Sequence, residues 1–230
     1  MNILIIPVSQ LDQAKIRLRD IFSKEKIKEF TLAMFKDICQ KTLDIDCFSK
    51  KIVYCNTQEI LEISRDYGFI PIKEERSKKS PDFNNIITEI NDIVVEKFDP
   101  ISTLIAFADI ILISPKNFLE ISELLKKSQL VICPSVNSLG ISLIGRSPPK
   151  IIKTCFSNSK NSSLIAQMEL IKKKGLKKVV LYDSFRAGFD VDIKEQVILG
   201  YEFLKIFNLT DTETYKFLKR NLKESIRHNK

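Results

Sequence analysis

Short apolar runs alternate with longer amphipathic stretches along the chain, and that alternation predicts its elements. Residues 2–8 are an apolar, β-branched run ending at Pro7 and Val8, the pattern of a buried strand. Between 23 and 43, Ile27, Phe30, Met34 and Ile38 recur at helical spacing with polar residues between them, predicting an amphipathic helix that lies on a sheet. Residues 51–55 form a second strand. A helix capped by Thr57 then runs through Ile60, Leu61 and Ile63 to Tyr67, ends at Gly68, and leads into a third strand at 69–72. Repeated strand–helix–strand units of this length predict parallel pairing.

Residues 73–81, KEERSKKSP, have no apolar period and predict a mobile polar loop. Pro81 and Asp82 open a helix carrying Phe83, Ile86, Ile87, Ile90 and Val94. Residues 103–108 are the most apolar strand, and their uncharged flanks place them at the centre of the sheet. A helix follows from Pro115 to about Lys127, then strands at 130–133 and 139–144, the latter entered by a turn at Asn137 and Ser138, with Gly140 allowing close backbone approach. The remaining pattern predicts a helix at 163–174 stopped by Gly175, a strand at 178–182, a helix from about Ile193 to Ile206, and a last helix capped by Thr210. With no repeats or linkers, the expectation is a single α/β domain spanning residues 1–230.

Composition narrows the chemistry. The 37 Lys and Arg against 29 Asp and Glu give a net charge of +8, but acids are interleaved with the lysines, so a solvated surface or a small polyanion such as a nucleoside triphosphate explains the excess better than nucleic acid. No apolar run approaches the roughly 20 residues of a membrane-spanning helix, and the first residues lack the features of a signal peptide. Five cysteines, Cys39, Cys47, Cys55, Cys133 and Cys155, with no C-x-x-C spacing, suit reduced thiols in the cytoplasm. The one histidine, His228, argues against Ser-His-Asp and Cys-His catalysis and against histidine-rich zinc sites. The six glycines form no dinucleotide or Walker-type phosphate loop. Chemistry therefore falls to carboxylates with a metal, or to lysine and arginine.

Lys15 and Arg17 follow the first strand directly, at the end of an open α/β sheet where ligands bind; solvated surface charges are the alternative. Asp109 ends the central strand, as a site carboxylate or as a turn residue. Asp190 and Asp192 flank Val191 just before a helix, and on extended backbone they share a face, where two like charges call for a divalent cation or protons. Together these groups suit nucleotidyl transfer: magnesium takes carboxylate and phosphate oxygens, and cations neutralise leaving pyrophosphate.

The same residues carry a family resemblance. Pro7-Val8, Leu11, Ala14-Lys15 and Arg17-Leu18 resemble the opening motif of the 2-phospho-L-lactate guanylyltransferases of deazaflavin-coenzyme biosynthesis. The likeness continues through Thr31 to Ile38, Ala108-Asp109, VICPSVNSLGISLI, Pro148-Pro149, NSSLIAQMELIKKKGL and Asp190-Val191-Asp192. It implies a nucleotide-diphospho-sugar transferase (GT-A-like) fold, a mostly parallel sheet with helices on both faces, and a homodimer. It further implies GTP and a small phosphorylated acid (2-phospho-L-lactate, phosphoenolpyruvate or 3-phosphoglycerate) as substrates. Under it, Asp109, Asp190 and Asp192 would hold magnesium, Lys15 and Arg17 would neutralise the triphosphate, Asn84 would meet the nucleotide, and Gly140 and Ser163 would meet the acid. The sequence departs from the family at Ser9, Asp82-Phe83-Asn84, Ile111, Gly140-Ile141-Ser142, Lys160 and Gln167, which points to altered specificity. Another nucleotidyl- or glycosyltransferase of this fold, and a non-catalytic nucleotide-binding homologue, are the alternatives.

Overall fold

The computed structural model describes residues 1–8, 15–74, 82–156 and 161–227. Its sheet has seven strands: β1 (Asn2–Pro7), β2 (Lys50–Cys55), β3 (Ile70–Lys73), β4 (Ser102–Ala106), β5 (Leu130–Pro134), β6 (Ile141–Arg146) and β7 (Val179–Leu181), in spatial order β3-β2-β1-β4-β6-β5-β7. Each apolar run read as a strand is one. β4 is the middle strand and is buried along its whole length, because helices cover both faces of a sheet at its centre. Pairing is parallel throughout β3-β2-β1-β4 and between β5 and β7. β6 runs antiparallel to both β4 and β5. Only a short link, residues 135–140, joins β5 to β6, and a link without a crossover helix returns the chain antiparallel.

The helices are α1 (Lys24–Thr42), α2 (Gln58–Asp66), α3 (Phe83–Phe98), α4 (Pro115–Leu125), α5 (Ser163–Lys174), α6 (Phe185–Gly188), α7 (Lys194–Ile206) and α8 (Glu213–Arg227), with a 3-10 turn at Ile16–Asp20. The 3-10 turn and α6 are too short to show a period in sequence. Alternate residues of the strands face opposite ways. Leu4, Ile6, Val53 and Leu104 pack with Phe35 and Ile38 of α1, Ile60 of α2 and Phe118 of α4. Ile3, Ile5, Ile52 and Ile105 pack with Ile87, Ile90 and Val94 of α3 and Ile171 of α5. A third cluster lies on the far side of α1, where Phe30 and Met34 meet Val197 and Leu204 of α7 and Phe217, Leu218 and Leu222 of α8. Phe30 stacks on Phe217 with ring centroids 5.2 Å apart, and truncating such a buried ring to alanine costs about 3–5 kcal/mol.

Local sequence sets several helix ends. Ser23 accepts from Lys26 N at 3.3 Å to start α1, Asp82 accepts from Asn84 N at 3.2 Å to start α3, and Gly175, at φ 66°, stops α5. Thr57 occupies the N-cap of α2 without a side-chain bond; its own N–H donates to Cys55 Sγ at 3.1 Å. Thr210 is not the cap of α8. Thr212 Oγ1 accepts from Tyr215 N at 3.3 Å, and the buried carboxylate of Asp37, from α1, accepts from Glu213 N and Thr214 N at 2.8 Å each. An anion at a helix N-terminus is favoured by the unpaired N–H groups and the dipole. Ser9, Leu11, Ala14, residues 75–81, Lys160 and His228 lie outside the described residues. Among the described residues no helix is long and apolar enough to cross a membrane, and all five cysteines are free thiols.

Candidate active site

The carboxyl ends of β1 and β4 open into a cleft of about 510 Å³, lined by Lys15, Arg17, Asp109, Gly140, Ser163, Asp190 and Asp192 among others. Of the eight residues given site roles from the sequence, Asn84 alone does not line the cleft, although its neighbour Phe83 does. β1 delivers the chain to Lys15, and β4 delivers Phe107, Ala108 and Asp109. Asp190 and Asp192 come from the link between α6 and α7, where Val191 is fully buried against the third cluster and anchors the two carboxylates at the cleft.

Lys15 is the hub. Its Nζ lies 2.5 Å from Asp109 Oδ2 and 2.5 Å from Asp192 Oδ1. Burial alone would lower the lysine's pKa, but the two carboxylates outweigh it and hold the pKa above the ordinary value, so the side chain is a permanent cation at neutral pH. Its backbone is left-handed, φ 49° and ψ 42°, a conformation that costs a side-chain-bearing residue about 1–2 kcal/mol. The two ion pairs hold the residue there, and such strain is typical of functional sites. Arg17, in the 3-10 turn, is exposed at the rim.

Asp190 has a different environment. Burial pushes its carboxyl up to about 6, the neighbouring charges of Asp109 and Asp192 add to the rise, and a 2.5 Å hydrogen bond donated by Ser135 Oγ opposes it. Ser135 was not singled out in the sequence, although it directly follows the end of β5, the same signal that marked Asp109. The approach of α6 to β5 makes this contact: Val136 N donates to Gly188 O at 2.8 Å, and a Cβ on Gly188 would sit 2.5 Å from Pro134 O. Gly140 closes the same turn, accepting from Ser135 N at 3.1 Å.

Two further assignments meet hydrogen bonds already made. Asn84 Oδ1 accepts from Phe156 N at 2.6 Å, and Ser163 Oγ donates to Phe156 O at 2.9 Å. Phe156 lines the cleft with Phe83 and Phe107, and sequence periodicity gives no signal for a loop aromatic of this kind.

Among the described residues no group of three or more His, Cys, Asp or Glu side chains is spaced to cage a metal. Magnesium, however, normally takes one or two carboxylates and completes its shell with phosphate oxygens and waters. Asp109, Asp190 and Asp192 fit that partial role: burial first, and then the charges of Asp109 and Asp192, raise the pKa of Asp190, so a cation at the cleft would favour its charged form, and Lys15 already pairs with the other two.

The family described as guanylyl transferase CofC like matches residues 1–229. The chain is 30% identical over 216 residues to the 2-phospho-L-lactate guanylyltransferase of Methanocaldococcus jannaschii, covering 94% of this chain and 87% of that protein. It is 29% identical over 217 residues to the protein of the same name from Methanobrevibacter ruminantium, covering 92% and 88%. Among solved structures, a putative nucleotide-diphospho-sugar transferase from Desulfovibrio desulfuricans G20 superposes with a TM-score of 0.75 at 14% identity, over 99% of this chain and 97% of that one. A nucleotidyl transferase from Methanothermobacter thermautotrophicus superposes with a TM-score of 0.62 at 11% identity, over 96% and 99%. Those identities establish the nucleotide-diphospho-sugar transferase fold alone. The match along almost the entire sequence, on a chain whose three site aspartates and Lys15 converge on one cleft, places this protein in the guanylyl transferase CofC-like family.

Proposed function

We propose that the protein transfers the guanylyl group of GTP to the phosphate of a small phosphorylated carboxylic acid, with 2-phospho-L-lactate the first choice and phosphoenolpyruvate or 3-phosphoglycerate as variants. A phosphate oxygen of the acid attacks the α-phosphorus, the bond from that phosphorus to the bridging oxygen breaks, and pyrophosphate leaves with the electron pair. The observation that carries this reading is the Lys15 ammonium seated between Asp109 and Asp192 at the ends of β1 and β4, in a chain of a guanylyl transferase family.

Lys15 and Arg17 neutralise the triphosphate and the departing pyrophosphate, the electrostatic and positioning work that phosphoryl-type transfers require. Asp109, Asp190 and Asp192 would hold magnesium, which supplies further charge neutralisation at the phosphates. No strong general base is required, because the attacking phosphate is already largely ionised near neutral pH. Gly140 presents its backbone to the acid. Ser163 stands behind that position, since its only proton goes to Phe156 O. Asn84 borders the nucleotide at the start of α3. The product would be a deazaflavin-coenzyme precursor made in the cytoplasm, by a single domain that pairs as a homodimer.

The test is pyrophosphate release from GTP, with and without magnesium, when each of the three acids is offered separately. Magnesium-dependent release with one of them is expected. GTP binding with no release from any of the three would refute the guanylyl-transfer reading and favour a non-catalytic nucleotide binder.

A further inference from the structure

Two segments bring carboxylates to the cleft: the link from β4 to α4, which carries Asp109, and the link from α6 to α7, which carries Asp190 and Asp192. Apolar packing joins them, since Ile111 and Leu112 share a cluster with Phe189 and Val191. Such packing is non-directional, so hydrogen bonds between the segments are needed to fix their register. Arg186 of α6 supplies one: its Nε donates to Leu112 O at 2.8 Å, and its guanidinium lies over the Phe207 ring, 4.8 Å from the centroid. Where the first link enters α4, Asn117 Nδ2 donates to Ser184 Oγ at 3.2 Å. From α1, Lys41 Nζ donates at 2.7 Å to Ile111 O, the carbonyl next to the one that Arg186 holds. Residues 110–113 are buried, and buried carbonyls need partners from the protein. Burial pushes the Lys41 pKa down to about 8, the charge of Arg186 adds to the fall, and Asp37 and Asp211 oppose it; the two cations are thus held close on consecutive carbonyls although they repel each other.

α6 has four residues, too few to be stable as a helix by itself, so ties of this kind set where it and the aspartates after it stand. Lys15 also bridges the two segments, through Asp109 and Asp192. Its ammonium has three protons, and a bound triphosphate competes for them. A tie outside the cleft is free of that competition, and neither Arg186 nor Lys41 lines the cleft. We propose that Arg186 is a positioning residue: it locks the Asp109 link against the segment carrying Asp190 and Asp192 and keeps the three carboxylates in place while Lys15 serves the phosphates, with Lys41 bracing the same link from α1. The effect on turnover rests on the guanylyl-transfer reading above; the effect on the two segments does not.

The test pairs turnover with amide hydrogen exchange. Arg186→Met keeps apolar contact with Phe207 and removes the donor. Arg186→Lys puts a methylene where Nε stood and keeps a cation over the ring, so it removes the same bond with less disturbance of packing. Misplacing a reacting group by about 1 Å costs about a hundredfold, so kcat for pyrophosphate release should fall about tenfold or more in both variants. The KM for GTP should stay within about twofold, because a group that only positions the carboxylates does not bind the nucleotide. In protein without metal or nucleotide, exchange should quicken in residues 107–114 and 185–193 and stay at the wild-type rate in β2 and α2. Wild-type kcat and exchange in either variant overturns the clamp, as does a raised KM with unchanged kcat. Exchange that quickens alike in every element, the mark of a general loss of stability, overturns it too. In each case the guanylyl-transfer reading stands. Wild-type protein that releases no pyrophosphate with any of the three acids overturns that reading instead, and the exchange pattern alone then decides the clamp.

Discussion

Asp190→Asn separates the catalytic value of the carboxylate from its cost to the fold. The substitution is isosteric and keeps an oxygen to accept from Ser135, so the charge is what is removed. The gap between about 6 in the folded chain and the ordinary 3.8, at about 1.4 kcal/mol per pH decade, bounds the cost of that charge at about 3 kcal/mol. Solvent reaching the half-buried carboxyl brings the expected value to about 2 kcal/mol. The sign follows from proton linkage. The folded chain holds this proton more tightly than the unfolded one, so the stability it contributes is complete below the unfolded pKa and is lost as pH rises through about 6. Asparagine never ionises, so the variant should match wild type near about pH 4 and exceed it by about 2 kcal/mol near about pH 8. Urea unfolding across that range, without magnesium, measures the gap, and pyrophosphate release should be abolished in the same protein. A stability difference that is the same at both ends of the range would refute the assignment of the raised pKa, and full turnover would refute the role of Asp190.

Ser135→Ala removes the donor that opposes this rise, so the acid limb of the kcat/KM profile, which reports free-enzyme groups, should move to higher pH by about one unit; an unmoved limb argues against Asp190 as the titrating group. Lys15→Met leaves Asp109 and Asp192 facing each other without their cation, and steady-state turnover should fall by about a hundredfold or more. Asp37→Ala exposes the N–H groups of Glu213 and Thr214 and should cost about 1–2 kcal/mol in urea unfolding, with faster hydrogen exchange in α8 and no change in the KM for GTP.

The pattern of apolar residues determined which segments are strands and which are helices, because burial on one or two faces imposes a period that local sequence must carry. That is why 103–108 could be read as the central strand and why the helix stop at Gly175 is visible in the residue itself. The residue types able to do chemistry were also legible, since a chain with one histidine and no phosphate-loop glycines leaves aspartate, lysine and arginine. The short link before β6 already implied its reversal against β5, but its insertion between β4 and β5 was not legible, because strand order is settled by which edges meet after collapse. Nor were the pairings that define the site. Lys15 reaches Asp109 across 94 positions and Asp192 across 177, Ser135 reaches Asp190 across 55, and Asp37 caps α8 from 176 away, a role that local reading gave to Thr210. Hydrogen bonds and ion pairs depend on distance in space and leave no period in the chain, so only the tertiary structure could show that Asn84 and Ser163 converge on Phe156.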